Sequence, residues 1–447
     1  MKIALVHNLP DGGAKRALFE HARHLRLRGH TLDAFLPETA REAFLPLAPL
    51  CQNVRTYPMP HGPAIDKALI DRLLWHPATR LAWRTVGEHR RNLWACDRAA
   101  ERRRRFLDAV DAAYLPIARD IDAGGYDWVY VHHCRFLLSP HLLVALHNTP
   151  TVYYCQDTLR HVHEWAPQTP TDYDAVAPPD GFVAQRGRWY SPGEWTLTNE
   201  EERRNAEYAR AADLVLANSF YSQEALTRAY GLASRVCYLG VDSGFFCPDT
   251  IPEKKREVLS VGALGPMKRH DFILEAVATI PAARRPSLRI IGYSPTHFGA
   301  GGLGTYAETL LARAKQTGVE LFIDEGCDDA HLRTCYRQAG VVAFAPRLEP
   351  FGFVPLEAMA CQTPIVGVCE GGLRESIENN VTGFSTERDP HAFGEALDRV
   401  LTDSTLAERV GRAGRETVCA RWCWESSTDR LETLVSDFFH RRQGGAA

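Results

Sequence analysis

The chain has 447 residues, too many for one ordinary hydrophobic core, and this length predicts two domains. It carries 52 Lys and Arg residues against 55 Asp and Glu residues, and the formal net charge of −3 gives no indication of a nucleic-acid partner. An apolar fraction of 45% is typical of a globular protein, and no apolar run is long enough to predict a membrane-spanning helix.

The first apolar run, KIALVHN, is too short for a secretory signal and predicts a buried strand instead. The 12 cysteines are scattered without paired CxxC spacing, which is typical of reduced thiols and disfavours a zinc site. Together these features favour a cytoplasmic protein.

Strands and helices alternate from the beginning of the chain. After the strand KIALVHN, segment 14–29 has apolar residues at helical spacing and ends at Gly29, and HTLDAFLP predicts a second strand. A strand–helix–strand unit of this kind indicates a parallel sheet. Further strands of this first unit are predicted at 126–133, 149–157 and 212–219.

The alternation starts again after a linker predicted at 238–257, where turn residues and mixed charges are concentrated. REVLSVGAL predicts a strand and HDFILEAVATI a helix. Further strands are predicted at 288–294, 321–326, 341–347 and 363–370. The Asp pair at 328–329 predicts a helix N-cap. The last predicted helix, 425–442, carries an apolar stripe that needs a surface to cover.

A basic segment at 71–110 interrupts the first unit, with ten arginines, five acidic residues, and Trp75, Trp83 and Trp94. One interpretation is an amphipathic patch for an anionic acceptor or for the inner face of a membrane. The other, which we favour, is solvated helix faces packed on the first domain, with Arg–Glu pairs such as Arg84 and Glu88.

A second interruption, at 160–200, is rich in Pro, Gly and aromatic residues. A loop of this length is typical of a lid, a binding loop or a disordered segment.

The segment RLEPFGFVPLEAMACQTPIVG places Glu349 and Glu357 between a predicted strand and a predicted helix. Pro355 fits the first helical turn. Free amides at the helix N-terminus favour an anion such as a diphosphate, and Gly352 lets a ligand approach the backbone. We expect Glu357 in the first turn, where a carboxylate can accept hydrogen bonds from vicinal hydroxyls; taken alone, this position is better explained by helix electrostatics.

The longer stretch EPFGFVPLEAMACQTPIVGVCEGGLRESI resembles the signature of glycosyltransferase family 4, whose members are retaining enzymes of the GT-B fold. The resemblance implies that Glu349 lies beside the donor sugar and that Glu357 holds the ribose hydroxyls. It further implies that backbone amides around Phe351, Gly352 and Phe353 contact the sugar and phosphate.

Other stretches extend the resemblance over most of the chain. DGGAKR is similar to the family's loop after the first strand, which implies that Gly12 and Gly13 approach the donor phosphates. DWVYVHH is similar to the strand that ends in a histidine near the sugar, and the match assigns His132 rather than His133. VGALGPMKRHDF implies that Lys268 meets the diphosphate.

Two departures from the family pattern are visible. Ala263 stands where the family usually has an arginine, and Arg347 and Arg16 are candidate substitutes for that cation. Gln156 stands where a histidine often precedes an aspartate.

The resemblance implies an α/β protein of GT-B fold, with two Rossmann-like domains whose parallel sheets face a central cleft. The N-terminal domain, 1–246, would bind the acceptor and carry insertions at about 60–120 and 160–200. The C-terminal domain, 247–420, would bind the donor, and a helix at 421–447 would cross back to the first domain.

The implied activity is transfer of a sugar from a nucleoside-diphosphate sugar to a hydroxyl of a glycan, a lipid-linked or a small-molecule acceptor. No cofactor and no catalytic metal are expected. The main alternative is a non-catalytic sugar- or nucleotide-binding protein on a degenerate scaffold, for which Ala263 and Gln156 are the best support. A dehydrogenase would need GxGxxG, which NLPDGGAKR lacks, and a phosphorylase would need a lysine site for pyridoxal phosphate, which is not evident.

Overall fold

A computed structural model describes residues 1–61, 87–158, 183–185, 188–248, 254–292 and 303–444. The chain divides into two compact units. The first comprises Met1–Ala217, Gln223–Arg235 and Asp437–Ala447, and the second comprises Asn218–Ser222 and Val236–Ser436.

The first unit is built on a seven-stranded sheet with the order β3-β2-β1-β4-β5-β8-β9. Every strand pair with a defined register in this sheet is parallel, as the alternating pattern predicts. The strands up to this point of the chain, including the antiparallel hairpin β6-β7, are β1 Lys2–Asn8, β2 Thr31–Pro37, β3 Asn53–Tyr57, β4 Trp128–Cys134, β5 Thr151–Tyr154, β6 Val183–Gln185, β7 Arg188–Tyr190, β8 Leu214–Ala217 and β9 Arg235–Val236.

The second unit contains a six-stranded parallel sheet with the order β12-β11-β10-β13-β14-β15. Counted from its own first strand, this is the 3-2-1-4-5-6 order of a doubly wound nucleotide-binding sheet. Its strands are β10 Lys255–Val261, β11 Ser287–Gly292, β12 Leu321–Glu325, β13 Ala339–Phe344, β14 Ile365–Val368 and β15 Phe384–Thr386.

Helices connect the strands and cover the sheets. They are α1 Gly13–Leu27, α2 Gly87–Asp122, α3 Leu142–Ala145, α4 Pro192–Ala211, α5 Phe220–Tyr230, α6 His270–Thr279, α7 Leu303–Thr317, α8 Asp329–Gln338, α9 Phe353–Ala360, α10 Leu373–Ser376, α11 Pro390–Thr402, α12 Ser404–Arg421 and α13 Trp424–Gly444. None of the helices within the described ranges has the length and apolarity needed to span a bilayer.

The predicted strands and the helices at 14–29, 270–280 and 425–442 are confirmed to within a few residues. Local chemistry sets several boundaries. Helix α1 ends before Gly29, which has a positive φ of 85°. The Ser191 side chain accepts a hydrogen bond from the Glu194 amide, and the Glu194 carboxylate accepts one from the Ser191 amide, which forms a capping box at the start of α4.

The basic segment is described from residue 87 onward, and Trp75, Trp83 and Arg84 lie outside the described residues. In α2, Arg104 donates to Glu200 of α4 at 2.7 Å and to Glu101 at 2.8 Å. Arg103 donates to Glu201 at 3.0 Å. These pairs show that part of the arginine excess joins α2 to α4 within the first unit, as the favoured interpretation predicts.

Packing between α6 and α11 generates a stability prediction. A Cβ atom at Gly394 of α11 would lie 2.5 Å from the carbonyl oxygen of Ala276 in α6, and the Thr279 hydroxyl would also collide with it. Gly→Ala in a helix interior normally stabilises by about 1 kcal/mol. Here overpacking outweighs that gain, and Gly394→Ala should destabilise the chain by about 1–3 kcal/mol.

Chemical and thermal unfolding of the full chain would measure this effect. Glu395→Ala, at an exposed position on the same helix, is the matched control and should change the free energy of unfolding by less than about 0.5 kcal/mol. Unchanged or increased stability of Gly394→Ala would show that the two helices can separate without cost.

Candidate active site

Each sheet reverses its strand order beside its first strand, between β1 and β4 in the first unit and between β10 and β13 in the second. Open α/β sheets bind ligands outside the carboxyl ends of their strands at such a point. The predicted site residues follow this rule: Gly12 and Gly13 follow β1, His132 lies near the end of β4, Lys268 follows β10, and Glu349 follows β13.

Lys268 and Glu349 form an ion pair at the carboxyl end of the second sheet. The Lys268 Nζ atom donates to Oε2 of Glu349 at 2.7 Å, and the two side chains are 28% and 18% exposed. The sequence predicted both residues for one site but did not predict that they contact each other. A partly exposed pair of this kind remains accessible to a charged ligand.

Glycines hold the Glu349 loop in place. The amide of Gly372 donates to the carbonyl oxygen of Glu349 at 2.8 Å. A Cβ atom at Gly371, where φ is +56°, would lie 2.5 Å from the same oxygen, so a larger residue would displace the loop. At Gly352, where φ is +89°, a Cβ atom would lie 2.9 Å from the Leu373 side chain.

Helix α9 begins at Phe353 without a side-chain cap, because Gly352 occupies the N-cap position. Its first amide groups therefore have no capping side chain, as an anion-binding helix N-terminus requires. Phe351 is buried, and its ring packs against that of Phe353 with centroids 5.5 Å apart. The expected contacts of these amides with sugar and phosphate stay a prediction.

The predicted position of Glu357 is wrong in one respect. Because α9 begins at Phe353, Glu357 is its fifth residue and lies beyond the first turn. The residue is only 7% exposed, and the Tyr336 hydroxyl donates to its Oε2 atom at 2.7 Å. Helix-terminus electrostatics therefore do not explain the presence of Glu357 at this position. Its carboxylate is instead buried and oriented by the Tyr336 hydroxyl.

Tyr336 is itself fixed from two sides. It is fully buried, and burial together with the Glu357 carboxylate raises the pKa of its hydroxyl well above the usual range. The hydroxyl is therefore a permanent hydrogen-bond donor. Thr363 Oγ1 donates to the Tyr336 carbonyl oxygen at 2.6 Å, which anchors the end of α8 to the loop before β14.

Arg347 is the better supported of the two candidate replacements for the arginine missing at Ala263. Its Nη1 atom is buried and has no hydrogen-bond partner among the residues that the structure describes. Burial, and then the neighbouring Arg388 guanidinium, lower its pKa. Arg16 instead lies over the ring of Phe44, 5.7 Å from the centroid, in the first unit.

His132 is buried at the end of β4, with its ring stacked on that of Tyr154 at a centroid distance of 5.5 Å. The side-chain nitrogen of Gln156 lies 3.4 Å from the Ala14 carbonyl oxygen and 3.3 Å from His132 Nδ1. The Ala14 carbonyl oxygen can only accept a hydrogen bond, so the Gln156 amide nitrogen donates to it. The same nitrogen donates to Nδ1 of His132, and the ring proton of His132 is therefore on Nε2.

The His132 ring is therefore a neutral donor. Burial, and then the nearby His21 ring, hold its pKa well below the usual range. Its Nε2 atom is buried and has no hydrogen-bond partner within the described part of the chain. Gln156, a departure from the family pattern, thus fixes the tautomer of the predicted histidine and links it to the loop of Gly12 and Gly13.

A partly buried charge cluster of Lys15, Glu42 and His7 was not predicted. The fully buried Lys15 side chain donates to Glu42, which also lies 3.0 Å from Nε2 of His7. Burial alone would raise the pKa of Glu42, but the hydrogen bonds from His7 and Lys15 lower it to about 2. The sequence signal was available, because Lys15 continues the apolar helical stripe of Leu18 and Ala22.

Comparison with known sequences places this arrangement in a family. Residues 11–245 match the family model described as Glycosyltransferase Family 4, and residues 246–417 match the one described as Glycosyl transferases group 1. The chain belongs to glycosyltransferase family 4.

Among curated relatives of this family 4 chain, a D-inositol 3-phosphate glycosyltransferase from Thermobifida fusca is 31% identical over 259 residues. The alignment covers 54% of this chain and 59% of the relative. The human alpha-1,3/1,6-mannosyltransferase ALG2 is 41% identical over 95 residues, or 21% and 23% of the two chains. The chain thus spans little more than half the length of the first relative and about a quarter of the second.

Solved structures share the fold at low sequence identity. HepE from Anabaena in complex with UDP superposes with a TM-score of 0.66 at 19% identity, covering 98% of this chain and 100% of HepE. A sucrose-phosphate synthase from Thermosynechococcus elongatus gives a TM-score of 0.67 at 20% identity, covering 98% and 99%. The predicted GT-B fold class, with two parallel-sheet α/β domains, is confirmed.

Buried histidines generate a prediction of pH dependence. Burial lowers the pKa of His7, His133 and His270 to about 4, and that of His21 to about 3, from 6.5. The unfolded chain therefore binds more protons than the folded chain below pH 6.5. The contribution of these neutral histidines to the free energy of unfolding is fully present above about pH 6.5. It should fall as the pH decreases toward 4, by at most about 1.4 kcal/mol per pH unit for each histidine.

Denaturant unfolding between pH 7 and pH 4 would measure this slope. His21→Gln removes one of the buried rings and should reduce the slope, whereas His391→Gln, at an exposed position on α11, should leave it unchanged. A slope that both variants share with the wild type would contradict the assignment to buried histidines.

Proposed function

We propose that this chain transfers a hexosyl group from a nucleoside-diphosphate sugar to an acceptor hydroxyl with retention of anomeric configuration. The observation that carries the proposal is the Lys268–Glu349 pair at the carboxyl ends of β10 and β13, beside a helix that begins without a side-chain cap. The relatives are named as glycosyltransferases, and HepE is a UDP complex, which supports a nucleotide-linked donor.

Departure of the diphosphate is the difficult step of such a reaction. Its growing negative charge would be stabilised by the Lys268 ammonium, by the buried Nη1 of Arg347 and by the amides at the start of α9. Preorganised donors aimed at developing charge commonly contribute more to the rate enhancement than any other effect. These donors would perform the neutralisation that a metal ion performs elsewhere, and we expect the proposed reaction to need no metal.

Glu349 would face the sugar as positive charge develops at its anomeric carbon. When the diphosphate attracts Lys268, the carboxylate is released from its ion-pair partner and can stabilise that charge. The leaving phosphate would itself accept the proton of the acceptor hydroxyl on the same face of the sugar, which accounts for retention. Glu357, held by Tyr336, would accept hydrogen bonds from the ribose hydroxyls.

In the first unit, the roles of Gly12, Gly13 and His132 toward the donor stay predictions, as does membrane attachment through segment 71–110. The choice between glycan, lipid-linked and small-molecule acceptors is likewise open to experiment. Acceptor screening should begin with polyols and their phosphates, because the matched relatives include D-inositol 3-phosphate glycosyltransferases.

The charge of Lys268 should be essential to turnover. Lys268→Met should lower kcat by about 10²–10³-fold, the usual cost of removing one preorganised donor to a developing anion. Lys255→Met is the matched control, because it removes an exposed lysine at the opposite end of the same strand β10, and it should keep full activity. The measurement is release of nucleoside diphosphate from donor sugars, with and without acceptor.

Comparison of ligand binding with turnover distinguishes sugar transfer from mere binding. Uridine, guanosine and adenosine diphosphates would first be screened by thermal shift, since a ligand at 100 times its Kd stabilises by about 2.7 kcal/mol. Binding without turnover by the wild type would support the non-catalytic alternative. Turnover that Glu349→Ala and Lys268→Met leave intact would overturn the proposed site.

Tyr336 should act specifically through the ribose. Tyr336→Phe removes the hydroxyl that orients Glu357, and it should weaken nucleoside-diphosphate binding by about 1 kcal/mol, or roughly fivefold in Kd. Pyrophosphate, which has no ribose, should bind the variant and the wild type equally. Calorimetric titration would test this, and equal losses for both ligands would indicate a general structural effect instead.

A further inference from the structure

A cluster of metal-ligating side chains lies at the edge strand of the second sheet, away from the candidate active site. Asp324 belongs to β12, Cys327 to the loop that follows, and His331 and Cys335 to α8. Strand β12 is separated from β10 by β11, so this cluster is distinct from the Lys268–Glu349 pair. Its spacing, C-x3-H-x3-C, has no CxxC element, and for this reason the sequence pattern did not reveal it.

The helix brings two of these side chains together. Positions four residues apart share a helix face, so His331 and Cys335 are neighbours in successive turns of α8. Asp328, the predicted N-cap, is confirmed in that role, because its side chain accepts a hydrogen bond from the His331 amide at 2.8 Å. The cap fixes the start of the helix and with it the position of the His331 backbone.

Two of the distances, both from His331, are those of neighbouring ligands in a tetrahedral metal site. His331 Nε2 lies 3.4 Å from Cys335 Sγ and 3.6 Å from Asp324 Oδ2. The ligand atoms of Asp324, Cys327 and His331 all lie within 4.8 Å of one another. Zinc bonds of about 2.0–2.3 Å to nitrogen, oxygen and sulfur place neighbouring ligand atoms of a tetrahedron about 3.3–3.8 Å apart. Cys335 Sγ is not among these three mutually close ligand atoms, so the Cys335 side chain must rotate about its contact with His331 to complete a four-ligand site.

The surroundings supply an outer shell. Arg289 donates to Asp324 Oδ2 at 2.8 Å and to the Glu257 carboxylate at 3.1 Å. Glu257 neutralises the guanidinium, and Arg289 holds the Asp324 carboxylate in a fixed orientation, as partners of metal ligands commonly do. Asp328 adds a further negative charge nearby.

Access from solvent also fits a metal. Cys335 is buried and Cys327 half-buried, whereas His331 is exposed, so an ion can enter from solvent. Because a thiol must lose its proton to bind a metal, metal binding should release protons and weaken at low pH.

We propose that Asp324, Cys327, His331 and Cys335 bind one divalent zinc-type ion as a structural site. Two thiolates, an imidazole and a carboxylate are the ligands that zinc prefers, and four protein ligands leave no open position for catalysis. The ion joins the end of β12 to the first turns of α8 and holds the loop between them.

Cobalt(II) titration of the full chain, with a phosphine reductant in place of thiols, tests the proposal. One equivalent should produce the visible bands of tetrahedral cobalt together with thiolate-to-cobalt charge-transfer absorption in the near ultraviolet. Zinc should then displace the cobalt and raise the thermal unfolding temperature. Nucleoside diphosphates should leave the spectrum unchanged, because the two sites are separate.

Two variants of proposed ligands and two control variants test whether the bound ion lies at this cluster. Cys327→Ser and His331→Ala change positions near the surface and should weaken cobalt binding more than about 100-fold, since even outer-shell changes cost 10–100-fold. Cys419→Ser and His391→Ala, which are exposed on α12 and α11, should bind like the wild type. Circular dichroism would verify that all four variants fold.

A wild-type protein that shows only the pale spectrum of octahedral cobalt would overturn the proposal. Tetrahedral bands that persist in Cys327→Ser and His331→Ala would also overturn it, because they would place the ion on other cysteines.

Discussion

The ion pair between Lys268 and Glu349 joins two loops that follow neighbouring strands, and the chemistry proposed for the second unit depends on it. At 2.7 Å the pair holds a cation and an anion in defined positions while both stay partly exposed. Gly371 and Gly372 let the backbone approach the carbonyl oxygen of Glu349 and so hold the loop that carries this carboxylate. In the proposed reaction, an incoming diphosphate would meet a preformed cation, and its arrival would free a carboxylate for the positive charge that develops on the sugar.

Much of the fold could be predicted because parallel strands are short apolar runs bounded by turns. KIALVHN and REVLSVGAL carry that signal in full, and both are central strands. Strand β3, Asn53–Tyr57, was not predicted, because it lies at a sheet edge and is mostly exposed, so that its residues form no apolar run. Glu357 was predicted in the first turn of α9 but is its fifth residue. The start of α9 depends on the backbone conformation at Gly352, which cannot be inferred from sequence periodicity.

The candidate site divides in the same way between local and long-range features. Glu349, Glu357 and Lys268 lie in continuous stretches that resemble a known signature, so they could be selected from sequence. The Tyr336 hydroxyl contact, the tautomer that Gln156 imposes on His132, and the cluster of Asp324, Cys327 and His331 arise only when separate elements of structure meet. Residue identity alone cannot reveal such meetings, because each partner by itself is an ordinary core or surface residue.

The pair formed by the buried Lys15 and the half-buried Glu42 has a consequence for how this chain can diverge. Loss of Glu42 leaves the fully buried Lys15 ammonium without its carboxylate partner, and breaking a buried pair in this way typically destabilises by about 3–5 kcal/mol, whereas replacing both residues by apolar residues of similar volume is often neutral. A single substitution of Glu42 should therefore be selected against more strongly than the double substitution. Among homologues we therefore expect the two positions to covary. The intermediate with only one of the two substitutions should be less stable than either end state.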